Sequence, residues 1–466
     1  MKEQNKVLRG IGIALSILLV VASFYLLYQL IKINVLPTKL LFLITIVFVL
    51  LDAIFALLLC YYTRAFVSKI ICVVITLVLI FGSCMGGYYI SKTGSLLTNI
   101  TNVTKHAKNT VSVVVKQSSD IKNKSQLNGL SVGTLRTIGT QGSSKALKEL
   151  SKDGIVMNQS EYDSLSAMLE AFYNGEVDSI IINESSRSQI LDMESYADFD
   201  NNTRVVYQTS YKVENTDKAN AVSDITSKPF NILISGSDTR GGFDENGRSD
   251  VIMVATVNPK TSTILLTSVP RDFYVTTACD AADGCMQGAL DKITHTGIHG
   301  TNTTKRTVEQ LLGVEINYTF KVGFDTVTDL VDALGGVDVY VEPGYAVSTS
   351  TFSVHEGANH LDGQHALAYA RERYSYTEGD RQRTKNQQQV LMGIVNEEIS
   401  DLIKHQINNN PKWKMEQYMV DGTGDTLMCA ELGDAASVMV PDQSTVKIAK
   451  DKINAILAGK SADDVK

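Results

Sequence analysis

Three long apolar stretches in the first ninety residues constrain this chain more than any other feature. They cover residues 11–31, 40–61 and 70–90, and Asp52 is the only charged residue within them. Each stretch is long enough to cross the roughly 30 Å hydrocarbon core of a bilayer as a helix. We therefore expect residues 1–91 to form three transmembrane helices. Asp52 either has a function inside the membrane or pairs within the bundle, and the other two stretches contain no partner charge.

The basic residues that flank these stretches predict how the chain is oriented. Lys2, Lys6 and Arg9 precede the first stretch, and Arg64 and Lys69 lie between the second and the third. Two lysines in the first loop weaken this bias without reversing it. A cleaved signal peptide is the competing interpretation, but no small-residue cleavage site follows the first stretch and two further spans do. The positive-inside rule then predicts a multi-pass protein of the cell membrane, with a cytoplasmic N-terminus and a large extracellular C-terminal portion.

The cysteines agree with that orientation. Cys279 and Cys285 bracket a turn-rich insert, and an oxidising exterior would allow a disulfide between them. A zinc site is disfavoured because two cysteines without paired histidines offer too few ligands. The cysteines in or beside the apolar stretches are interpreted as small hydrophobic residues.

Residues 92–227 differ in composition from the rest, being rich in Ser, Asn and Lys. A strand pattern at residues 130–133, a helical pattern over Tyr162 to Tyr173 and a strand pattern at residues 179–182 resemble one lobe of an extracellular solute-binding domain. A spacer that holds the next domain away from the lipid is the alternative. The polar run from residue 214 to 228 is predicted to be a linker. We therefore expect an α+β accessory domain and linker over residues 92–227.

Arginine is concentrated in three later segments. Seven of the eleven arginines beyond residue 91 lie there, namely Arg240, Arg248, Arg271, Arg371, Arg373, Arg381 and Arg383. Guanidinium grips phosphate oxygens in a fixed planar geometry, whereas an ammonium group only attracts them. A phosphate site is one interpretation, and a solvated helix end with surface ion pairs is the other.

Apolar runs precede the first two arginine segments. The run 230–234 is followed by Asp238 and Arg240, then by Arg248 and Asp250, and the run 264–267 is followed by Arg271 and Asp272. Such runs are typical of buried strands that deliver polar residues at their ends. Ligand sites in open α/β sheets lie at those ends, which favours the phosphate site. Asp238 and Asp250 alone would be interpreted as turn caps.

Helix and strand patterns alternate from residue 230 onwards. Helical patterns cover residues 304–312, 324–334, 361–372 and 382–403, and strand patterns cover 318–322 and 337–341. Gly313 and the pair Gly335–Gly336 stand where helices should end. We predict an α/β fold with a central mixed sheet sandwiched by helices.

The ordered motifs of this region resemble the LytR-CpsA-Psr family. They are NIL followed by GSDTR, then GRSD, PRD, DKITH, VDALGGV and LDGQHALAYARER. The resemblance covers residues 228–405 as a catalytic domain, with residues 406–466 expected as its helical C-terminal extension. It implies a Gram-positive surface enzyme that moves a glycopolymer from a polyprenyl-pyrophosphate carrier to peptidoglycan through a phosphodiester. The three-span anchor and accessory region resemble capsule-associated members, so the expected polymer is capsular polysaccharide rather than teichoic acid.

The resemblance also implies roles for particular residues. Asp238 and Asp250 match the family's Mg²⁺-binding aspartates. The positions that match its pyrophosphate contacts are Arg271, Arg371, Arg373, Arg383 and Gln387, with Arg240, Arg248 and Arg381 as further candidates. Asp380 is the candidate that orients or deprotonates the incoming hydroxyl, Arg271 and Arg383 complete the catalytic set, and Asp272 is expected to brace Arg271.

A polyprenyl chain needs an apolar groove between sheet and helices. The candidates are Phe320, Phe324, Val327, Leu330, Val390, Leu391, Ile394 and Val395, although an ordinary core would show the same helical spacing.

Three alternatives remain from the sequence. His295, His299, His355, His360 and His365 lack metal-ligand spacing and are interpreted as packing or surface residues. A nucleic-acid-binding regulator is disfavoured, since about ten residues precede the first span and the net charge is −7. A non-catalytic regulator that binds lipid-linked polymer and associates with capsule assembly proteins remains open.

Overall fold

The computed structural model describes residues 2–33, 38–62, 66–101, 106–214, 222–223, 225, 227–237, 245–280, 284–405 and 413–465. The chain consists of two units, Met1–Asn102 and Val103–Lys466.

The first unit is built from three long helices, α1 (Lys2–Ile33), α2 (Thr38–Leu57) and α3 (Phe66–Thr101). Within them, Gly10–Lys32, Leu40–Cys60 and Val67–Ser91 are long and apolar enough to cross a membrane. This confirms the three predicted spans. Asp52 has a polar partner that the sequence did not reveal, because Ser23 Oγ on α1 donates a hydrogen bond to its Oδ1 at 3.0 Å.

The accessory region, residues 106–214, forms a five-stranded sheet of order β3-β2-β4-β1-β5. Its strands are β1 (His106–Lys116), β2 (Ser131–Leu135), β3 (Asn158–Tyr162), β4 (Ser179–Asn183) and β5 (Thr203–Glu214). β2 runs parallel to β3 and β4, and β1 runs antiparallel to β4 and β5. Four helices cover it: α4 (Thr140–Lys152), α5 (Leu165–Asn174), α6 (Arg187–Asp192) and α7 (Phe199–Asn202).

Local sequence explains the limits of α5. Ser164 accepts a hydrogen bond from the Ala167 N–H and caps the first turn, and Gly175 ends the helix at φ 81°, a backbone conformation that favours glycine. Leu165, Leu169 and Phe172 share the buried face. The prediction that this helix begins at Tyr162 was wrong, because Tyr162 pairs with β2 as the last residue of β3.

The arginine region, residues 230–465, contains a second five-stranded sheet of order β11-β6-β7-β8-β16. Its strands are β6 (Phe230–Ser237), β7 (Ser249–Asn258), β8 (Thr263–Ser268), β11 (Tyr318–Val322) and β16 (Lys414–Met419). The smaller strands are β9 (Tyr274–Thr276), β10 (Leu290–Lys292), β12 (Val337–Val341), β13 (Val347–Ser348), β14 (Ser353–Val354), β15 (Gly357–Leu361), β17 (Gly422–Cys429) and β18 (Asp434–Pro441). The outer pairs of the sheet are parallel and the inner pairs antiparallel, as a mixed sheet requires.

Helices cover both faces of this sheet. They are α8 (Thr301–Leu312) and α12 (Gln443–Leu457) on one face and α11 (Asp380–His405) on the other. Two further helices, α9 (Phe324–Ala333) and α10 (Gly363–Arg371), pack in a separate core with β12 and β15. Alternation along β6 sends Leu233 into the core with α8 and α12, whereas Ile232 and Ile234 lie on the face that carries Leu391 of α11. The predicted α/β sandwich is confirmed.

The candidate groove residues fall into different clusters. Val327, Leu330, Val390 and Ile394 pack in a small core with β12, β15 and α10, and Leu391 packs on the main sheet. Phe320 is partly exposed on β11. The side chains of Phe324 and Val395 lie outside the described residues.

The C-terminal segment is not the helical extension that the sequence predicted. Three strands, β16, β17 and β18, precede its one long helix, α12. The prediction failed because β16 gains its partners from β8, which lies far away in sequence. The β17–β18 hairpin packs Cys429, Leu432 and Val438 into the core beneath α5, so the accessory and arginine regions share one hydrophobic core.

Candidate functional site

Asp250, the second residue of β7, lies at the centre of a group of arginines. Arg271 Nη1 donates a hydrogen bond to Asp250 Oδ1 at 2.6 Å, and Thr294 Oγ1 donates to the same atom at 3.2 Å. Arg248 and Arg383 also act electrostatically on this carboxylate. We call Arg248, Arg271, Arg383 and Asp250 the arginine site. The structure therefore brings together residues from three of the predicted segments.

The charge of Asp250 is set by its surroundings. Burial would raise the pKa of this carboxyl, but the guanidinium groups of Arg271, Arg248 and Arg383 and the Thr294 hydroxyl outweigh burial, so the pKa is lowered. Asp250 is therefore ionised at neutral pH. Among the described residues, three carboxylates form ion pairs with these arginines, namely Asp250, Asp192 and Asp272.

The fold explains why these arginines meet. Arg248 directly precedes β7, Arg271 follows the end of β8, and Arg383 lies in the first turn of α11. All three are only 8% exposed. The helix N-terminus adds a positive field to the three guanidinium groups. Two strand ends and a helix N-terminus thus converge at the arginine site.

Neighbouring groups hold Arg271 in place. Asp272 Oδ1 lies 3.7 Å from Arg271 Nε and 3.6 Å from Lys292 Nζ, in the position that a bracing role requires. A Cβ on Gly297 would meet Ser249, so only glycine allows the turn beside Thr294 to pack this closely on β7.

Several predicted site residues are not brought to Asp250 by the contacts described. Arg381 donates a hydrogen bond to Asp421 Oδ1 at 2.5 Å and is exposed, because it lies on the opposite side of the α11 turn from Arg383. Arg373 packs against Tyr374, with its guanidinium carbon 4.7 Å from the ring centroid, and Arg371 is exposed at the end of α10. Gln387 lies on α11 one turn beyond Arg383 and is partly exposed.

Three other predicted site residues lie wholly or partly outside the described residues. Asp238 and Arg240 are not described, and Asp380 is described only through its backbone, which begins α11.

Two of the histidines considered in the sequence lie beside carboxylates. His295 Nδ1 lies 2.7 Å from Asp291 Oδ1, and His299 Nε2 lies 2.7 Å from Glu431 Oε1. Among the described residues, no group of three or more His, Cys, Asp or Glu side chains could hold a metal ion.

The sequence left open whether the two cysteines of the turn-rich insert pair, and the structure pairs them. Cys279 and Cys285 form a disulfide. The carbonyl of Gly284, inside this loop, accepts a hydrogen bond from the Gly139 N–H at 3.1 Å. The disulfide loop therefore contacts the accessory region where α4 begins.

Sequence reasoning missed two residues of this neighbourhood. Thr294 lies inside the DKITH motif but was not assigned a contact. Asp192, the last residue of α6, comes from the accessory region: its Oδ2 accepts a hydrogen bond from Arg248 Nη1 and lies 3.9 Å from Arg271 Nη2. No spacing or composition signal marks Asp192, because it reaches the arginines through tertiary structure alone.

The chain is similar in sequence to known proteins. A model of the LytR_cpsA_psr family matches residues 197–410. Polyisoprenyl-teichoic acid–peptidoglycan teichoic acid transferase TagU from Bacillus subtilis (strain 168) is 39% identical over 179 residues, which are 38% of this chain and 55% of that protein. Its namesake from Bacillus cereus (strain AH820) is 35% identical over 202 residues, which are 43% of this chain and 62% of that protein.

The crystal structure of B. subtilis TagU is 30% identical and covers 50% of this chain and 97% of its own, with a TM-score of 0.38. The chain spans 55% of the B. subtilis relative and 62% of the B. cereus relative, which is less than two thirds of either protein. The family match includes Arg248, Arg271 and Arg383 and begins after Asp192.

Proposed function

We propose that this chain is a member of the LytR-CpsA-Psr family, whose model matches residues 197–410, and that it transfers a glycopolymer from a polyprenyl-pyrophosphate carrier to peptidoglycan. The observation that carries this proposal is the arginine site, with three buried guanidinium groups around an ionised carboxylate. Pyrophosphate carries several negatively charged oxygens, and a planar guanidinium group can contact two of them at once.

The reaction makes one phosphorus–oxygen bond and breaks another. A hydroxyl oxygen of the acceptor attacks the phosphorus that carries the polymer, and the bridging bond to the second phosphorus breaks. Polyprenyl phosphate leaves, and the polymer stays joined to the acceptor through a phosphodiester. The arginines would neutralise the charge that builds on the phosphate oxygens, which is the main demand of phosphoryl transfer.

The hydroxyl proton must be accepted as the new bond forms. Asp380 remains our proposed base on the family resemblance. Its backbone begins α11, three residues before Arg383.

The family resemblance supports a divalent cation at this site. Mg²⁺ binds through one or two carboxylates, with water and phosphate oxygens completing its shell, and Asp250 is an ionised carboxylate beside the proposed phosphates. We propose that Asp250 holds Mg²⁺ together with Asp238. Such an ion, when bound, would supply further positive charge to the phosphate oxygens.

The main sheet offers a place for the lipid on its α11 side. In the described part of the chain, that face has three buried apolar residues, Ala255, Ile264 and Leu266, against seven that are only partly buried: Ile232, Ile234, Val257, Leu391, Met392, Trp413 and Met415. The opposite face has seventeen buried residues and five partly buried ones. The incompletely covered face supports a groove for an apolar chain.

We further propose that the polymer is capsular polysaccharide and that the second unit lies outside the cell. The three-helix anchor and the accessory region support both proposals by their resemblance to capsule-associated members of the family. The two curated relatives are named for teichoic acid, so chemical analysis of the cell-wall linkage in a strain that lacks this protein would decide between the polymers.

The proposal is tested with the full chain in detergent, a polyprenyl-pyrophosphate-linked oligosaccharide and peptidoglycan. We expect release of polyprenyl phosphate together with a new phosphodiester, and a loss of at least about 100-fold in Asp250→Ala. Asp451→Asn, at a partly exposed position of α12, is the matched control. Unchanged, chelator-resistant transfer in Asp250→Ala would remove Asp250 and the metal from the mechanism. Binding of the oligosaccharide without any release of polyprenyl phosphate would favour the non-catalytic regulator.

A further inference from the structure

A carboxylate from the accessory region lies against two arginines of the arginine site. Asp192 Oδ2 accepts a hydrogen bond from Arg248 Nη1 and lies 3.9 Å from Arg271 Nη2. Arg271 uses its other terminal nitrogen, Nη1, for Asp250. Two anions from different parts of the chain therefore contact the two ends of one guanidinium group.

Differences in exposure show which anion lies nearer the solvent. The Asp192 side chain is 54% exposed, whereas those of Arg248 and Arg271 are 10% and 9% exposed. Asp250 is intermediate, at 21%. Asp192 thus lies on the solvent side of both cations, where an oxygen of an incoming phosphate would bind them.

The accessory fold keeps Asp192 in this position. Arg187, at the start of α6, pairs with Glu184 at 2.6 Å and with Asp200 at 2.7 Å, which ties the short helix to the segments on either side. The shared core beneath α5 and the contact between Gly139 and Gly284 fix the accessory region against the arginine region. Asp192 is therefore delivered by tertiary structure that the family match does not include.

We propose that Asp192 is an internal competitor of the pyrophosphate for Arg248 and Arg271, so that the accessory region sets the affinity of the site for its substrate. The inference rests on the proposed function, which places pyrophosphate at these arginines. Two anions that need the same guanidinium groups repel each other, and a substrate must move Asp192 aside or bind beside it. Removing its charge should therefore strengthen pyrophosphate binding.

The opposite role for Asp192 gives the opposite result. If Asp192 only orients Arg248 and Arg271, its loss frees their side chains and weakens binding of the same anion. The sign of the change in affinity thus distinguishes a competitor from a positioning residue.

The test measures binding of inorganic pyrophosphate and of farnesyl pyrophosphate to the full chain in detergent by calorimetry. We expect Asp192→Asn to bind both about five- to tenfold more tightly than the parent, with a smaller gain at high salt. Glu194→Gln is the matched control, because it removes a negative charge from an exposed side chain two residues from Asp192 that no described ion pair joins to the arginine site. Its affinity should stay within about twofold of the parent.

The outcomes separate this inference from the proposed function. Suppose that the parent binds pyrophosphate and that Arg271→Ala abolishes this binding. Equal or weaker binding by Asp192→Asn then overturns this inference but leaves the proposed function standing. A gain in both Asp192→Asn and Glu194→Gln also overturns it, since a general loss of negative charge near the site would then be the cause. Absence of pyrophosphate binding in parent and variants overturns the phosphate site and the inference with it. Thermal unfolding of each variant confirms that the folded protein is compared.

Discussion

Arg271 contacts three carboxylates in and beside the arginine site. Its Nη1 faces Asp250, its Nη2 faces Asp192 and its Nε faces Asp272. A guanidinium group can address three carboxylates at fixed angles because its donors lie in one plane, and an ammonium group cannot. Orientation, rather than charge alone, should therefore decide what a substitution here does.

Conservative substitutions test that statement. We expect Arg271→Lys and Arg383→Lys to lose transfer on the order of 100-fold, nearly as much as the alanine variants, because lysine keeps the charge without the planar fork. Arg371→Lys and Arg373→Lys test whether those residues belong to the same clamp. Arg381→Lys is the control, since its described partner is the exposed Asp421, and it should keep most activity. Parent-like rates in all of the lysine variants would mean that no clamp exists at these positions.

The site could be predicted from the sequence as far as strands and motifs deliver its residues. Asp250, Arg248 and Arg271 follow from where apolar runs end, and Arg383 follows from the start of a long helical pattern. Arg381, two residues before Arg383, could not be separated from it because spacing alone does not give the rotation of a helix about its axis. Asp192 could not be found at all, since no local pattern encodes a contact between two sheets.

At the scale of elements, a buried hydrogen-bond network joins β10 to the turn between β17 and β18. Asp291 accepts hydrogen bonds from the Glu431 N–H at 2.6 Å and from the Lys292 N–H at 2.6 Å, and contacts His295. Burial would raise the pKa of Asp291, but His295 and these backbone donors lower it overall. The folded state therefore prefers the ionised form.

The sign of this shift gives a pH dependence. A carboxyl with a lowered folded-state pKa stabilises the fold fully above its unfolded value, 3.8, and loses that contribution as the pH falls through the lower folded value. We expect Asp291→Asn to lower the free energy of unfolding by about 2–4 kcal/mol at pH 7, because the NH₂ group of asparagine would face backbone N–H donors. In urea titrations that cost should shrink below about pH 4. Exposed Asp425→Asn is the control, and a pH-independent cost would contradict the assignment.

The turn between β17 and β18 is the second element that joins the regions. Gly433 has φ 65°, and a Cβ there would collide with Ser164, the N-cap of α5. Ser166 N–H donates to the Leu432 carbonyl at 3.0 Å, and Ser166 Oγ donates to the Gly433 carbonyl at 3.0 Å. Close backbone approach at this turn is therefore part of the junction.

Adding one carbon at this position should weaken both regions. We expect Gly433→Ala to cost about 2–4 kcal/mol, from backbone strain and from the collision with Ser164. Gly424→Ala on the same hairpin meets no atom within 4 Å and serves as the control. Fluorescence of Trp413, the one tryptophan of the chain, reports the arginine region, so its unfolding midpoint should fall in Gly433→Ala. An unchanged midpoint would show that the junction does not couple the regions.

Elements with strong local signals were predictable, and those that depend on distant partners were not. α9, β11 and β12 match their predicted spans within one residue, because apolar periodicity and terminal glycines mark them. β3 and β16 were missed because each becomes a strand only by pairing in parallel with a strand distant in sequence. A parallel partner leaves no hairpin signal in the chain.

At the scale of the whole molecule, three spans predict that the two ends of the chain lie on opposite sides of the membrane. Protease added to intact protoplasts should therefore release a soluble fragment that begins near the end of α3, while a cytoplasmic marker protein stays intact. Protection of the second unit under these conditions would place it inside the cell and would make the regulator interpretation admissible.

The shared core beneath α5 also affects how the chain folds during its synthesis. The accessory strands are complete by Glu214, yet Cys429, Leu432 and Val438, which cover their core, are synthesised more than two hundred residues later. At roughly 5–20 residues per second, the ribosome needs about 10–45 s to reach them. During that interval Leu169 and Phe172 lack part of their apolar cover, so the nascent accessory region is a client for chaperones. A chain truncated after Pro441 should resist protease around α5 better than one truncated after Asp421, because only the longer chain supplies the missing cover.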